Sequence, residues 1–163
     1  YGNPPRVVRI GFNYRMTKPQ LAAGLNQARK IDAIIGRKRE NFIRMNEALG
    51  GVDEIIPAPG VDEDHASLMY VARLDSGKVS FTRDELTAHL KNEWGIGTVI
   101  HYPPVWSWEV MRKAGHGPHG CPEAERACAQ VFSLPVFAST TGDDISYIAH
   151  AIRESIASLR RGR

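Results

Sequence analysis

The sequence predicts an α/β fold, with one layer of helices on a sheet of three or four strands, entered through a single long helix. Three observations predict it. From Leu21 to Ile35 apolar residues recur every three or four positions, the period of a helix with one buried face. Between His65 and Leu74 the period drops to two, with Leu68, Tyr70, Ala72 and Leu74 alternating against Met69, Val71 and Arg73, as on a half-buried strand. Beyond it, helix starts and short β-rich runs alternate to give the order helix, strand, helix, strand, helix, helix, strand, helix.

Taken in order, Arg6 to Ile10 reads as a short strand or extended lead-in. The long helix follows from Lys18 to Ala48. Thr17 is its N-cap, Pro19 lies in the first turn where a missing N–H costs little, and Gly50-Gly51 stops it. A helix of some thirty residues is long for a domain of this size and suits a bridge between domains or subunits. Ile55 to Pro59 is extended, with Pro57 and Pro59 limiting any ladder. After the His65–Leu74 strand, Asp75-Ser76-Gly77-Lys78 is a turn. Thr82 to Glu85 is a capping box opening a helix over Arg83–Trp94, with Gly95 as its stop.

Gly97 to Tyr102 is the second strand, ended by Pro103-Pro104, and Val105 to Ala114 is helical. Gly115 to Gly120 is a loop. Cys121 to Gln130 forms a short helix with Pro122 in its first turn, and Val131 to Val136 is the third strand. Thr141 or Asp143 caps a final helix reaching Leu159. Arg160, Arg161 and Arg163 then form a solvated tail.

Composition narrows the function classes. With 163 residues, 42% hydrophobic and 24% charged, the chain can bury a real core. The net charge of +3 is mild. No basic stripe interleaved with aromatics runs through the body, so nucleic acid is not expected as a partner. No apolar run reaches membrane-spanning length. Cys121 and Cys128 lie on one expected helix, roughly 10 Å apart along its axis, too far for a disulfide. Reduced cysteines of this kind point to the cytoplasm.

Three clusters carry candidate chemistry. Gly11-Phe12-Asn13-Tyr14-Arg15-Met16-Thr17 sets an amide and a guanidinium beside two aromatics, immediately before a helix. Both polar groups suit a phosphate or carboxylate. His101-Tyr102-Pro103-Pro104 stands at the expected end of a strand, where α/β folds often bind ligands. There His101 is either a hydrogen-bonding or proton-transferring group or a histidine satisfied by backbone. His116, His119 and Cys121 share a glycine-rich loop, but a structural zinc site needs four ligands and no second pair such as C-x-x-C follows. No metal is expected. Asp62, Glu63, Asp64 and His65 read as a solvated acidic loop. No phosphate-binding glycine loop and no nucleophilic triad is present. From the residues themselves the chain is an α/β domain with an anion-binding edge.

Several segments together resemble the C-terminal part of the DegT/StrS family, PLP-dependent nucleotide-sugar aminotransferases of fold type I. They are Gly11 to Thr17, Gln20-Leu21-Ala22-Ala23-Gly24-Leu25, Arg37, Gly95-Ile96-Gly97-Thr98, His101-Tyr102-Pro103 and Ser133-Leu134-Pro135. Their joint order and spacing carry the likeness. The resemblance implies that residues 1–17 end a large domain and hold a cofactor-site motif, that 18–50 is a connector helix, and that 51–163 is the small α/β domain. It implies that Asn13 reaches the pyridoxal 5'-phosphate of the other subunit in a homodimer with shared active sites. Tyr14 and Arg15 would line the same site, and His101 and Tyr102 would stand near the substrate entrance. Trp106 occupies a place where the family often has histidine, a departure that bears on the sugar pocket.

The resemblance also places the Schiff-base lysine, and most cofactor ligands, upstream of Gly11. The chain is therefore expected to begin within a longer protein and to lack a catalytic residue of its own. Lys18, Lys30 and Lys78 are not substitutes. The complete enzyme would move an amino group from glutamate to a keto-sugar nucleotide, with this chain completed by an N-terminal large domain or a separate chain bearing it. The alternative is a stand-alone interaction or regulatory domain derived from that family.

Overall fold

The structure is a computed structural model and describes residues 9–62, 64–117 and 120–162. The expected lead-in strand over Arg6–Ile10 lies mostly outside the described residues, and Arg9 and Ile10 are not in a strand. The chain divides into two compact units with the boundary between Ala33 and Ile34.

In the first unit, α1 (Lys18–Ala28) opens at Thr17, whose backbone N–H and hydroxyl both donate to Gln20 Oε1, at 2.8 and 3.1 Å. The long helix is not continuous. Lys30 N–H bonds back only three residues, to Gln27 O at 3.0 Å, and α2 (Ile31–Ala48) starts afresh after this turn. The tightened last turn ends the i→i−4 ladder. The face expected to be buried is not: α1 has no buried residue, and Leu21 and Leu25 are 53% and 56% exposed.

The second unit holds the core. Asn41, Phe42 and Met45 of α2 are buried, and Gly51 takes a φ of 79°, a left-handed turn that suits glycine after a helix end. The sheet is three-stranded and antiparallel, in the order β1 (Ile55–Ile56), β2 (Tyr70–Leu74), β3 (Val131–Leu134). Tyr70 pairs with Leu134 and Ala72 with Phe132, so one face presents Tyr70, Ala72, Leu74, Phe132 and Leu134, all buried. The alternation read from the sequence holds over Tyr70–Leu74. It fails at Leu68, which is 73% exposed and outside the strand.

Helices cover this face. Thr82 caps α3 (Arg83–Trp94) through the expected box, its Oγ1 accepting from Glu85 N–H, and Gly95 closes it at φ 66°. Leu86 and Leu90 of α3 are fully buried. Beside it lies α6 (Gly142–Arg161), capped by Thr141, with Ile145, Ile148, Ala149, Ile152 and Ile156 buried at helical spacing. His89 Nδ1 and Ser155 Oγ lie 3.0 Å apart across this pair. Arg160 and Arg161 of the expected basic tail are instead the last turn of α6, where Arg160 pairs with the Glu54 carboxylate and donates to Lys78 O, while Arg163 lies outside the described residues.

Two other expectations change. Gly97–Tyr102 is not a strand; it makes one antiparallel bridge, Val99 to Ser133. Pro103-Pro104, which offers no N–H, bounds the segment on its far side. Val105–Ala114 is not one helix. A 3-10 turn over Val105–Ser107 is separated from α4 (Glu109–Lys113) by Trp108, whose backbone is extended at φ −71°, ψ 139°. Between α4 and β3, α5 (Pro122–Gln130) forms as expected. No helix among the described residues is long and apolar enough to cross a membrane.

Candidate functional site

The segment expected to bind an anion lies in the first unit. Asn13 Oδ1 accepts the backbone N–H of Arg15 at 3.0 Å, an Asx turn that fixes the amide ahead of α1. That leaves the Asn13 Nδ2 donor, with no partner among the described residues, pointing its hydrogen-bonding capacity outward. Tyr14 takes φ 48°, a left-handed conformation uncommon for a non-glycine residue and found disproportionately at functional positions. Its ring meets Phe12 edge to face, with centroids 6.0 Å apart. Asn13, Tyr14 and Arg15 are all exposed. One neutral donor and one guanidinium, presented together, can hold an anion and have no acid–base function by themselves.

The second cluster lies in the other unit. His101 is half-buried, and its Nδ1 lies 3.2 Å from the hydroxyl of Ser133 on β3. Its ring meets Tyr102 edge to face at 5.2 Å, and Tyr102 meets Trp108 likewise at 6.4 Å. The sequence reading groups His101 with Tyr102 and assigns no role to Ser133 or Trp108. Ser133 pairs with Val71 across the sheet, so it faces away from the core side chains of Phe132 and Leu134. A polar residue alternating with two buried apolar ones was the available signal. Beside this cluster, Ile100, Pro103, Pro104, Cys128 and Ala129 line a largely apolar cavity of about 470 Å³, edged by Arg83 and Glu125. Arg83 is committed to structure there, since its guanidinium donates to Cys128 O at 3.2 Å and to Val131 O.

Among the remaining candidates, His65 and Asp62 make local contacts. His65 Nδ1 lies 3.1 Å from Ser67 Oγ, and its carbonyl accepts from Arg39 Nε at 2.6 Å. Asp62 Oδ1 accepts the N–H of Asp64 at 3.1 Å, while Glu63 lies outside the described residues. His119 of the glycine-rich loop is also outside them. No group of three or more His, Cys, Asp or Glu side chains among the described residues could hold a metal ion. Cys121 and Cys128 are free thiols; Cys121 is the residue before α5 rather than part of it.

Comparison with known proteins shows the family of the chain. The DegT/DnrJ/EryC1/StrS aminotransferase family matches residues 3–153. The spore coat polysaccharide biosynthesis protein SpsC of Bacillus subtilis is 31% identical over 149 residues, 90% of this chain and 38% of SpsC. Among solved structures, DesV of S. venezuelae is 28% identical, with a TM-score of 0.76 over 90% of this chain and 38% of DesV. Helicobacter pylori PseC, an aminotransferase involved in pseudoaminic acid biosynthesis, has the same fold with a TM-score of 0.81 at 19% identity, covering 94% of this chain and 41% of its own. The chain thus spans about two fifths of the length of these relatives. It belongs to the DegT/DnrJ/EryC1/StrS aminotransferase family.

Proposed function

We propose that this chain is the C-terminal part of a PLP-dependent aminotransferase that moves an amino group from glutamate to a keto-sugar nucleotide, and that it is inactive alone. One observation carries the reading. The apolar stripe of α1 is uncovered, with Leu21 and Leu25 more than half exposed, in a chain that spans 38% of its curated relative SpsC. Such a stripe calls for a partner surface, and an N-terminal large domain, or a separate chain bearing it, would supply both the cover and the lysine. A polysaccharide sugar is the favoured class of acceptor, by likeness to SpsC. Division into residues 1–17, 18–50 and 51–163 and a homodimer with shared active sites go with this reading. So does a cytoplasmic location, which suits the two free thiols.

The residues present fit part of the cofactor. PLP supplies the electron sink on which amino-group transfer depends. Asn13 offers the unpartnered Nδ2 donor to a phosphate oxygen, and Arg15 adds a positive charge to the same anion-binding face. No lysine lies between residues 9 and 17, so the segment holds an anion without providing an amine. Tyr14, held left-handed beside Phe12, contributes an aromatic wall. His101 and Tyr102 supply polar edges for the hydroxyl-rich sugar.

The test compares the 163-residue chain with the product of its complete reading frame. Both are incubated with PLP, reduced with borohydride, and assayed for glutamate-dependent amination of a panel of keto-sugar nucleotides. The complete product is expected to retain PLP covalently and to turn over, and the chain alone to do neither. A borohydride-fixed adduct on a lysine of the chain alone would overturn its inactivity. A complete product that neither retains PLP nor turns over would leave the stand-alone interaction domain.

A further inference from the structure

Ser133 is anchored to the His101 segment twice. Its backbone N–H donates to Val99 O at 2.8 Å and its carbonyl accepts from Val99 N–H at 3.2 Å, which pins the chain two residues before His101 to the edge of β3. Its hydroxyl meets His101 Nδ1 at 3.2 Å. Ser133 is 7% exposed, and its hydroxyl has no other partner among the described residues. The cost of leaving a buried hydroxyl proton without an acceptor favours one direction of the bond. If Nδ1–H donated to Ser133 Oγ, the serine proton would be buried with no acceptor, which is costly. If the hydroxyl donates to a bare Nδ1, the serine is satisfied and the imidazole proton sits on Nε2.

We propose that Ser133 is a positioning residue that holds His101 in its Nε2–H tautomer. His101 then meets its ligand as a hydrogen-bond donor to an oxygen atom of the sugar nucleotide, and its Nδ1 lone pair is already engaged. The choice of ligand rests on the aminotransferase reading above; the tautomer does not. A ring held on two sides, by Ser133 at Nδ1 and by the edge-to-face contact with Tyr102 at 5.2 Å, pays little orientational entropy on binding. The bland role for Ser133, a small residue tolerated on a sheet, needs no hydroxyl.

The experiment is long-range proton–nitrogen correlation NMR of the histidine side chains in the nitrogen-15-labelled chain at alkaline pH. The His101 signals are assigned by their loss in His101→Gln. The expected wild-type result is a single Nε2–H tautomer, with the Nδ1 resonance displaced by an accepted hydrogen bond. Ser133→Ala should lose that displacement and gain an Nδ1–H fraction, and Ser133→Thr should keep the wild-type pattern. An Nδ1–H tautomer in the wild type overturns the proposal, as does a Ser133→Ala pattern identical to wild type. The wild-type tautomer decides the matter even where Ser133→Ala fails to fold. In the complete enzyme, Ser133→Ala and His101→Leu, which removes the donor, should each raise KM for the sugar nucleotide about tenfold, leaving kcat nearly unchanged. KM unmoved by His101→Leu would overturn the ligand assignment, while the NMR result separately decides the serine contact.

Discussion

The Tyr70 hydroxyl donates to Asn46 Oδ1 at 2.5 Å, and Asn46 Nδ2 donates in turn to Ala58 O at 3.1 Å. One side-chain amide thus ties α2 to the central strand β2 and to the loop after β1. Tyr70 is fully buried and packs edge to face on Phe42, with centroids 5.1 Å apart. Tyr70→Phe keeps the ring contact and strands the Asn46 oxygen. It should cost about 1–2 kcal/mol, read as a lower urea midpoint at unchanged m-value. Asn46→Ala removes both bonds, so it should cost more than Tyr70→Phe.

The same tyrosine makes the fold sensitive to alkali. Burial pushes its pKa up to about 12 from an ordinary 10.0, against a smaller opposing hydrogen bond with the Ala58 backbone. Between those two values the unfolded chain loses the phenolic proton and the folded chain keeps it. Stability from this group is therefore whole below pH 10 and is lost as pH rises toward 12. Thermal melting of the wild type should drop across that window by more than the melting of Tyr70→Phe. Parallel curves would show that other groups govern the alkaline limb.

The cap of α6 responds to acid. Thr141 donates its backbone N–H and its hydroxyl to Asp144 Oδ2 at 2.8 and 2.7 Å, and Asp144 N–H returns a bond to Thr141 Oγ1 at 3.2 Å. The bond from the Thr141 backbone, then that from its hydroxyl, lowers the Asp144 pKa. The stabilisation is present above the ordinary carboxylate range and fades as pH falls through the lowered value. Thr141→Ala should cost about 1 kcal/mol near neutrality. Asp144→Asn should remove part of the acid dependence of the melting temperature, and an unchanged acid limb would contradict this account.

How far these features were legible depended on the range of the interaction. Thr82, Thr141 and Gly95 mark helix ends by bonds within four residues, so α3 and α6 were readable. The exchange from period 3.6 to period 2 located β2. The break at Arg29–Lys30 was not readable, because neither residue is a glycine or proline and the apolar stripe runs through it. Val99 reads as part of a strand because its neighbours are β-branched or aromatic, but its pairing stops at the single bridge to Ser133. At the site, the anion chemistry of Asn13 and Arg15 follows from their types. Ser133 was invisible as a partner of His101, 32 residues away, until β3 and the Val99 bridge brought them together.

The exposed stripe of α1 gives the sharpest contrast between the chain and the assembly proposed for it. Leu21 and Leu25 lie one turn apart, each more than half exposed in a helix with no buried residue. Replacing both with glutamate removes no core contact, so the chain's urea unfolding should change by no more than about 0.5 kcal/mol. In the complete enzyme the same stripe would meet an apolar partner face. Covering the remaining area of each leucine there is worth about 1 kcal/mol, and two carboxylates in its place would have to be desolvated without partners. The double substitution Leu21→Glu, Leu25→Glu should therefore leave the chain's own melting alone. It should weaken association of the two halves, supplied as separate polypeptides, by at least tenfold in sedimentation or titration calorimetry. Destabilisation of the chain by itself, at the level of a core substitution, would mean that the stripe already has its cover within the chain, and the case for a missing partner surface would lose its main support.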